Sequence, residues 1–164
     1  MAGARPGDTL ILTRPIGSGT ILAAEMRLRA RGPWVAACLA EMARPQGAAA
    51  KALAPAHAMT DVTGFGLAGH LLNMLGASGV GATLDLSAIP LYAGAEDLAA
   101  AGIAAKVGDS ARESLLFDPQ TSGGLLAAVS PDKVSAILEA IEKHGHAAAA
   151  IGKITEGPPI IRAV

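Results

Sequence analysis

An aspartate and two glycines lie close together where a predicted β-strand meets a predicted α-helix. Asp61 is followed by Gly64 and Gly66. Glycines allow the backbone to turn sharply and to approach a ligand closely, and a helix beginning near Gly66 would direct unpaired N–H groups and a positive dipole end at an anion. A carboxylate beside a bound anion is repelled unless a cation bridges the two, so Asp61 suggests a Mg²⁺ ligand. From spacing alone, the alternative that Asp61 caps the helix while the glycines only turn the chain is equally favoured.

The same glycines overlap a pattern typical of dinucleotide-binding proteins. Gly64, Gly66 and Gly69 satisfy G-x-G-x-x-G, follow a predicted strand and open a predicted helix, and Asp85 falls at the end of the next strand, near the position expected for a ribose-binding acid. Asp61 would crowd a pyrophosphate with negative charge, however, and the later segments do not continue as a regular βαβ series. A dinucleotide site is therefore the weaker alternative.

A second polar stretch, Asp-Pro-Gln-Thr-Ser-Gly-Gly at residues 118–124, precedes an apolar strand. Its proline fixes a turn, and Thr121 and Ser122 could hydrogen-bond the local backbone. Gly123 and Gly124 permit close backbone approach or a positive φ. The residues alone favour an ornate loop before a strand over a loop that contacts an oxyanion of a ligand.

The histidines do not form a metal site by their spacing. His70 follows the glycine turn by one helical turn and is expected to pack or to hydrogen-bond. His57, His144 and His146 have no zinc-ligand spacing with any cysteine, so zinc is not expected.

Composition and charge exclude several classes of protein. The net charge is −1 without a basic run, which disfavours nucleic-acid binding; Arg27, Arg29 and Arg31 are expected on the solvated face of a helix. No apolar stretch is long enough to span a membrane, and the amino terminus lacks a signal-peptide pattern. Cys38 is the single cysteine and lies in an apolar stretch, so we expect it to be buried in a cytoplasmic protein.

The pattern of apolar residues predicts one α+β domain over residues 1–164, with a mixed β-sheet covered by α-helices. Met26 and Leu28 are expected to contact the core from the first helix, Ser130 to cap the last helix, and Glu139 to pair with Lys143 on its surface. The polar segment that follows residue 101 has no assignment. We predict strands over residues 10–13, 57–59, 80–86, 125–129, 147–154 and 160–162, and helices over residues 20–30, 34–42, 47–53 and 95–101, with two more that begin near residues 66 and 131.

Together, three stretches resemble selenophosphate synthetases. Residues 59–70 (MTDVTGFGLAGH) look like the signature that opens the main helix of that family's carboxy-terminal domain, residues 118–126 (DPQTSGGLL) are similar to its second signature, and residues 7–19 resemble the segment that enters the domain. The family more often has lysine where Arg14 stands, and residues 104–113 depart from its pattern and are followed by a shorter connection. The family belongs to the aminoimidazole ribonucleotide synthetase-like superfamily.

The resemblance implies an ATP-dependent phosphotransferase. Its members convert selenide, ATP and water to selenophosphate, AMP and phosphate, and they are homodimers with ATP and Mg²⁺ held between amino- and carboxy-terminal domains. By the resemblance, Asp61 is a Mg²⁺ ligand. The residues expected to contact ATP are Thr60, Gly64, Gly66, Thr121, Ser122, Gly123 and Gly124.

The resemblance places no catalytic residue in this chain. The family's catalytic cysteine or selenocysteine, its lysine and its other metal-binding aspartates belong to the amino-terminal domain, which we expect to be missing here, with residues 1–19 as the entry segment. The chain alone is therefore expected not to make selenophosphate. The alternative is a non-catalytic binding or dimerisation module that retains the same fold.

Overall fold

The computed structural model describes all residues from Met1 to Val164. None of its helices is long and apolar enough to cross a membrane. The strands are β1 (Thr9–Leu12), β2 (Ala58–Asp61), β3 (Gly81–Leu84), β4 (Leu125–Val129), β5 (Ala149–Thr155) and β6 (Ile161–Ala163). The helices are α1 (Ser18–Met26), α2 (Gly32–Met42), α3 (Gly47–Ala52), α4 (Gly66–Ser78), α5 (Ala95–Ala100), α6 (Ala111–Leu115) and α7 (Val134–Glu142), the last preceded by a 3₁₀ turn at Pro131–Lys133.

All six strands form one sheet in the order β2-β4-β1-β5-β3-β6. Every neighbouring pair is antiparallel except β3 and β6, which are parallel. The predicted mixed sheet is therefore confirmed. The two edge strands of the sheet are β2, whose last residue is Asp61, and β6.

The central strands are buried on both faces because their side chains alternate between two apolar clusters. Leu10 and Leu12 of β1 join a large cluster with α1, α4 and α5, whereas Ile11 joins a smaller cluster with α3 and α7. Helices thus cover both sides of the sheet. This layering fixes the end of β2 beside the start of β4, where Asp61 pairs with Leu125.

Helix α1 is shorter than predicted and its apolar end is exposed. The helix ends at Met26, and Leu28 has a left-handed backbone with φ 55°. Met26 and Leu28 are 80% and 92% exposed, so the expectation that they contact the core is wrong. Arg29 is solvent-exposed as expected, but it lies beyond the helix.

Other local expectations differ in detail. Ser130 precedes the 3₁₀ turn but donates to Asp132 rather than capping the helix through its side chain. Helix α6 was not predicted, although Ser110 and Glu113 form a complete capping box at its start. The pair of Lys143 and Glu139 is present, with Nζ and Oε1 2.7 Å apart.

Candidate functional site

The two predicted motifs are joined by backbone hydrogen bonds. The amide of Val62 donates to the carbonyl oxygen of Gly124 at 2.9 Å, and the amide of Gln120 donates to that of Thr63 at 3.0 Å. The stretches at residues 60–66 and 118–124 therefore form a single unit at one end of the sheet, which we call the loop module.

The entry segment is tied to the same module through the start of α1. The carboxylate of Asp118 accepts from the amide of Gly19 at 3.0 Å and from the hydroxyl of Thr20 at 2.7 Å. The Gln120 side-chain oxygen accepts from the amide of Gly17 at 3.1 Å and from the hydroxyl of Ser18 at 3.1 Å. Residues distant in sequence thus cap α1, whose own N-cap glycine has no capping side chain.

Burial raises the pKa of Asp118, and hydrogen bonds from Thr20, Gln120 and Gly19 partly oppose that rise. Asp118 and Gln120 are 6% and 5% exposed, and their side-chain oxygens are occupied by the cap. Within the second motif these two side chains therefore stabilise the fold, and the exposed side chains of Thr121 and Ser122 are the ones available to a ligand.

Asp61 is exposed at the end of β2 and its carboxylate makes no hydrogen bond or ion pair within the chain. The start of α4 has no side-chain cap, so the alternative in which Asp61 caps this helix is wrong. No group of three or more His, Cys, Asp or Glu side chains is arranged to hold a metal ion. An Mg²⁺ ion at Asp61 would accordingly need most of its oxygen ligands from a second molecule or domain.

The two glycines of the first motif differ in what the fold requires. Gly66 has φ 68°, and a Cβ there would lie 2.7 Å from the carbonyl oxygen of Leu116. A Cβ on Gly64 would meet no atom within 4 Å. Close packing within the chain explains Gly66, whereas the space around Gly64 is open.

The start of α4 is less available to an anion than expected. The amide of Gly66 donates to the carbonyl oxygen of Thr63 at 3.0 Å, and the amide of Ala68 donates to that of Leu116 at 2.8 Å. Two of the amides at this helix start are therefore already paired, and the expectation of a freely exposed helix N-terminus is corrected.

The loop at residues 121–124 also differs from expectation. The hydroxyls of Thr121 and Ser122 make no hydrogen bond to the local backbone, and both residues are exposed. The positive φ falls on Ser122, at 48°, and not on either glycine. Close approach is confirmed. A Cβ on Gly123 would overlap the Val62 carbonyl oxygen, and a Cβ on Gly124 would lie 2.8 Å from the backbone nitrogen of Arg14.

Arg14 is a buried part of the site that sequence reasoning missed. Its side chain is 1% exposed, and its Nε lies 3.4 Å from Oε1 of Glu41. One terminal nitrogen donates to the carbonyl oxygen of Ser122 and the other to that of Arg44, the latter at 2.7 Å. An arginine directly after a buried strand was the available signal, because a charge in that position needs several partners.

The remaining candidates have packing roles. His70 is buried and its Nε2 lies 3.0 Å from the hydroxyl of Thr63, as expected for a hydrogen-bonding histidine. Cys38 is fully buried, and burial raises the pKa of its thiol to about 11, which keeps it protonated near neutral pH. His57 contacts the carboxylate of Asp8 at 2.9 Å.

The sheet order argues against the dinucleotide alternative. Strands β2 and β3, which flank α4 in sequence, are separated in the sheet by β4, β1 and β5, whereas a dinucleotide-binding βαβ unit places its two strands side by side. The carboxylate of Asp85 accepts from the amide and hydroxyl of Ser87 at 2.9 and 2.6 Å. It therefore stabilises a local turn.

The architecture and the loop module define the class of the protein. The chain belongs to the family of the C-terminal domain of AIR synthase related proteins, whose sequence profile matches residues 5–163. Among curated proteins, it is 40% identical to a selenide, water dikinase of Burkholderia pseudomallei over 95% of this chain and 50% of that protein. It is 39% identical to that of Myxococcus xanthus over 99% of this chain and 52% of the relative.

The chain thus spans about half the length of these curated relatives. The Myxococcus alignment extends over 184 positions, more than the 164 residues of this chain, so the relative carries additional residues within the matched region. The resemblance to selenophosphate synthetases is confirmed.

Solved structures with low sequence identity show the same fold. Thiamine-monophosphate kinase from Stenotrophomonas maltophilia has a TM-score of 0.70 at 21% identity, over 99% of this chain and 51% of that one. The hydrogenase maturation protein HypE, solved in complex with ATP, has a TM-score of 0.68 at 17% identity, over 99% of this chain and 49% of that one.

Proposed function

We propose that this chain is the carboxy-terminal domain of a selenide, water dikinase and supplies part of its Mg·ATP site. The observation that carries this proposal is the 39–40% identity to two such enzymes over nearly the whole chain. The proposed enzyme converts selenide, ATP and water to selenophosphate, AMP and phosphate in the cytoplasm. It acts as a homodimer with an amino-terminal domain that brings the nucleophile.

The exposed groups of the loop module support a Mg·ATP site that is shared between the two domains. Asp61 offers an unpaired carboxylate, and the space around Gly64, three residues later, is open. Asp61 would hold Mg²⁺ together with carboxylates of the amino-terminal domain, and the metal would neutralise charge on the phosphates. The residues that would contact ATP are Thr60, Gly64, Gly66, Thr121, Ser122, Gly123 and Gly124.

Isothermal titration with Mg·ATP tests the proposal. The chain is titrated alone and after mixing with the amino-terminal domain of a selenide, water dikinase. We expect binding in the mixture that is at least about ten-fold tighter than in either part, because the metal ligands are then combined. Asp61→Ala should abolish that gain, whereas the control Asp97→Ala, an exposed carboxylate on α5, should retain it. Indifference to Asp61→Ala would reject the metal ligand.

A non-catalytic docking or dimerisation module is the second candidate, and one surface feature favours it. An apolar groove of 370 Å³ runs beside the loop module between α4, α6 and β6. Leu72, Phe117 and Ile160 line it and are 40–48% exposed. A pure docking module would bind the amino-terminal domain without any dependence on Mg·ATP, and Leu72→Ser would weaken that binding while Asp61→Ala would not.

A further inference from the structure

Three consecutive carbonyl groups in the loop at residues 122–124 are held by the chain. The Ser122 carbonyl oxygen accepts from the guanidinium of Arg14. The next, that of Gly123, accepts from Nε2 of Gln46 at 2.7 Å, and that of Gly124 accepts from the amide of Val62 at 2.9 Å. The orientation of each peptide plane in this loop is therefore fixed by a different partner.

The orientation of the carbonyls determines that of the amides. In a planar trans peptide the N–H of one residue points opposite to the C=O of the residue before it, and the chain has no cis peptide. The N–H groups of Gly123 and Gly124 therefore point away from Arg14 and Gln46. The next amide follows the same rule, since the Leu125 N–H turns away from Val62 and donates to the hydroxyl of Thr13 at 2.8 Å.

The amides of Ser122, Gly123 and Gly124 have no acceptor within the chain, unlike those of Gln120, Thr121 and Leu125 around them. Both glycines are buried, and buried backbone N–H groups are almost always paired with protein, water or a ligand. Adjacent backbone amides that lack a partner can bind one anion together, and here the carbonyl groups of both peptide planes are already held by Arg14 and Gln46.

We propose that the amides of Gly123 and Gly124 form an anion-binding nest for a phosphoryl oxygen, and that Arg14 and Gln46 are the positioning residues that orient it. The buried cation of Arg14 fixes the Ser122 carbonyl and faces Glu41. Gln46 fixes the Gly123 carbonyl and also accepts from the hydroxyl of Thr13 at 3.0 Å. This inference deepens the proposed function, because it names the atoms of the loop that would meet a phosphate.

The test uses inorganic phosphate as the probe and needs neither Mg²⁺ nor a second domain. The ¹⁵N-labelled chain is titrated at constant ionic strength, with chloride as the compensating anion, and amide chemical shifts are followed by NMR. We expect saturable shifts centred on Gly123 and Gly124. An absence of saturable shifts there, or shifts confined to exposed arginines such as Arg27 and Arg162, would overturn the proposal.

Variants distinguish whether phosphate binding depends on the orientation of the two amides or on positive charge near the loop. Gln46→Leu removes one carbonyl contact without changing charge, and Arg14→Lys keeps the charge but cannot fork between two carbonyls. Each should weaken phosphate binding about five-fold, the loss expected for one hydrogen bond. Arg44→Gln removes a nearby exposed charge but keeps its backbone carbonyl, and binding should change less than about two-fold.

The opposite ranking, with Arg44→Gln the most harmful, would show that general positive charge holds the ion and would reject the nest. Val134→Ala, on the other side of the sheet, controls for lost stability, because it should lower the melting temperature without altering phosphate binding. The outcome is separable from that of the proposed function, because the phosphate titration uses this chain alone without Mg²⁺, whereas the proposed Mg·ATP binding is measured in the two-domain mixture.

Discussion

At the scale of single residues, Gly66 is required by the fold, whereas Gly64 is available to a ligand. Gly66→Ala should lower the free energy of unfolding by about 2 kcal/mol or more, because its Cβ would meet Leu116 at 2.7 Å with φ 68°. Gly64→Ala should change it by less than about 0.5 kcal/mol, since the new Cβ meets nothing. Urea unfolding of both variants checks this.

The same pair tests the site. If Gly64 lets ATP approach the backbone, Gly64→Ala should weaken Mg·ATP binding to the two-domain mixture while the chain alone remains as stable as the wild type. Unchanged binding would show that the open space at Gly64 is not used by the nucleotide.

Asp118 gives a residue-scale prediction on pH. Its folded pKa is raised by burial, so the folded state binds this proton more tightly than the unfolded chain does. The resulting stabilisation is present below about pH 4, the unfolded value, and is lost as the pH rises through the folded pKa. Relative to Asp118→Asn, the wild type should therefore lose stability from pH 4 upward, by at most about 1.4 kcal/mol per pH unit.

Urea unfolding between pH 4 and 7 measures the difference in the free energy of unfolding between the wild type and Asp118→Asn. The change of this difference with pH is the test, because the hydrogen bonds that Asp118→Asn removes from the start of α1 add an offset that does not vary with pH. Asp85→Asn is a control of opposite sign, because hydrogen bonds from Ser87 lower the pKa of Asp85. The wild type should lose stability relative to it only as the pH falls below about 4, and the difference should stay constant between pH 4 and 7. A wild-type gain relative to Asp118→Asn would mean that the cap hydrogen bonds outweigh burial.

At the scale of elements, the end of α1 is closed by a leucine in a conformation that favours glycine. Leu28 donates its amide to Glu25 at 2.9 Å and Arg29 donates to Ala24 at 2.8 Å, the paired bonds of a Schellman motif. Leu28→Gly should raise the free energy of unfolding by about 1 kcal/mol, because the left-handed φ is released from strain and the exposed side chain loses no packing. Thermal and urea unfolding measure the change.

Met26→Gly is the matched control, since Met26 is also exposed but lies inside the helix. It should lower the stability by up to about 1 kcal/mol. If Leu28→Gly also lowers the stability, the side chain of Leu28 contributes contacts in solution that offset its strain.

The elements also show which signals the sequence carries. Strand β4 has the predicted bounds, because a run of apolar residues between glycines and a proline is a local signal. Helix α6 carried its capping box in the sequence and could have been found. The end of α1 could not be found, because its C′ position holds leucine rather than glycine. Its start could not be found either, because Asp118 and Gln120 cap it from across the chain.

At the scale of the whole molecule, the sequence predicts an α+β fold but not which strands are neighbours. The separation of β2 from β3 depends on the pairing of segments far apart in the chain. The roles of Arg14 and Gln46 were missed for the same reason, because their partners lie at Ser122 and Gly123. Asp61 could be singled out because the strand, the carboxylate, the glycines and the helix follow one another directly in the sequence.

The groups present in the whole molecule also limit which reactions this chain can catalyse alone. Asp61 is an isolated carboxylate in a chain without a three-residue metal cluster, and the only thiol is buried and protonated near neutral pH, with a pKa of about 11. We therefore expect no ATP- and selenide-dependent release of AMP from this chain alone, and release once the amino-terminal domain of a selenide, water dikinase is added. Quantifying AMP by chromatography under anaerobic conditions checks this.

Asp61→Ala should remove the AMP release of the mixture, because phosphoryl transfer needs its full set of metal ligands. Cys38→Ser should retain it, since a fully buried thiol cannot reach a substrate. AMP released by the chain alone would show that it contains a complete site, and retention by Asp61→Ala in the mixture would assign the metal to the amino-terminal domain. A loss confined to Cys38→Ser at unchanged thermal stability would instead make this thiol the nucleophile.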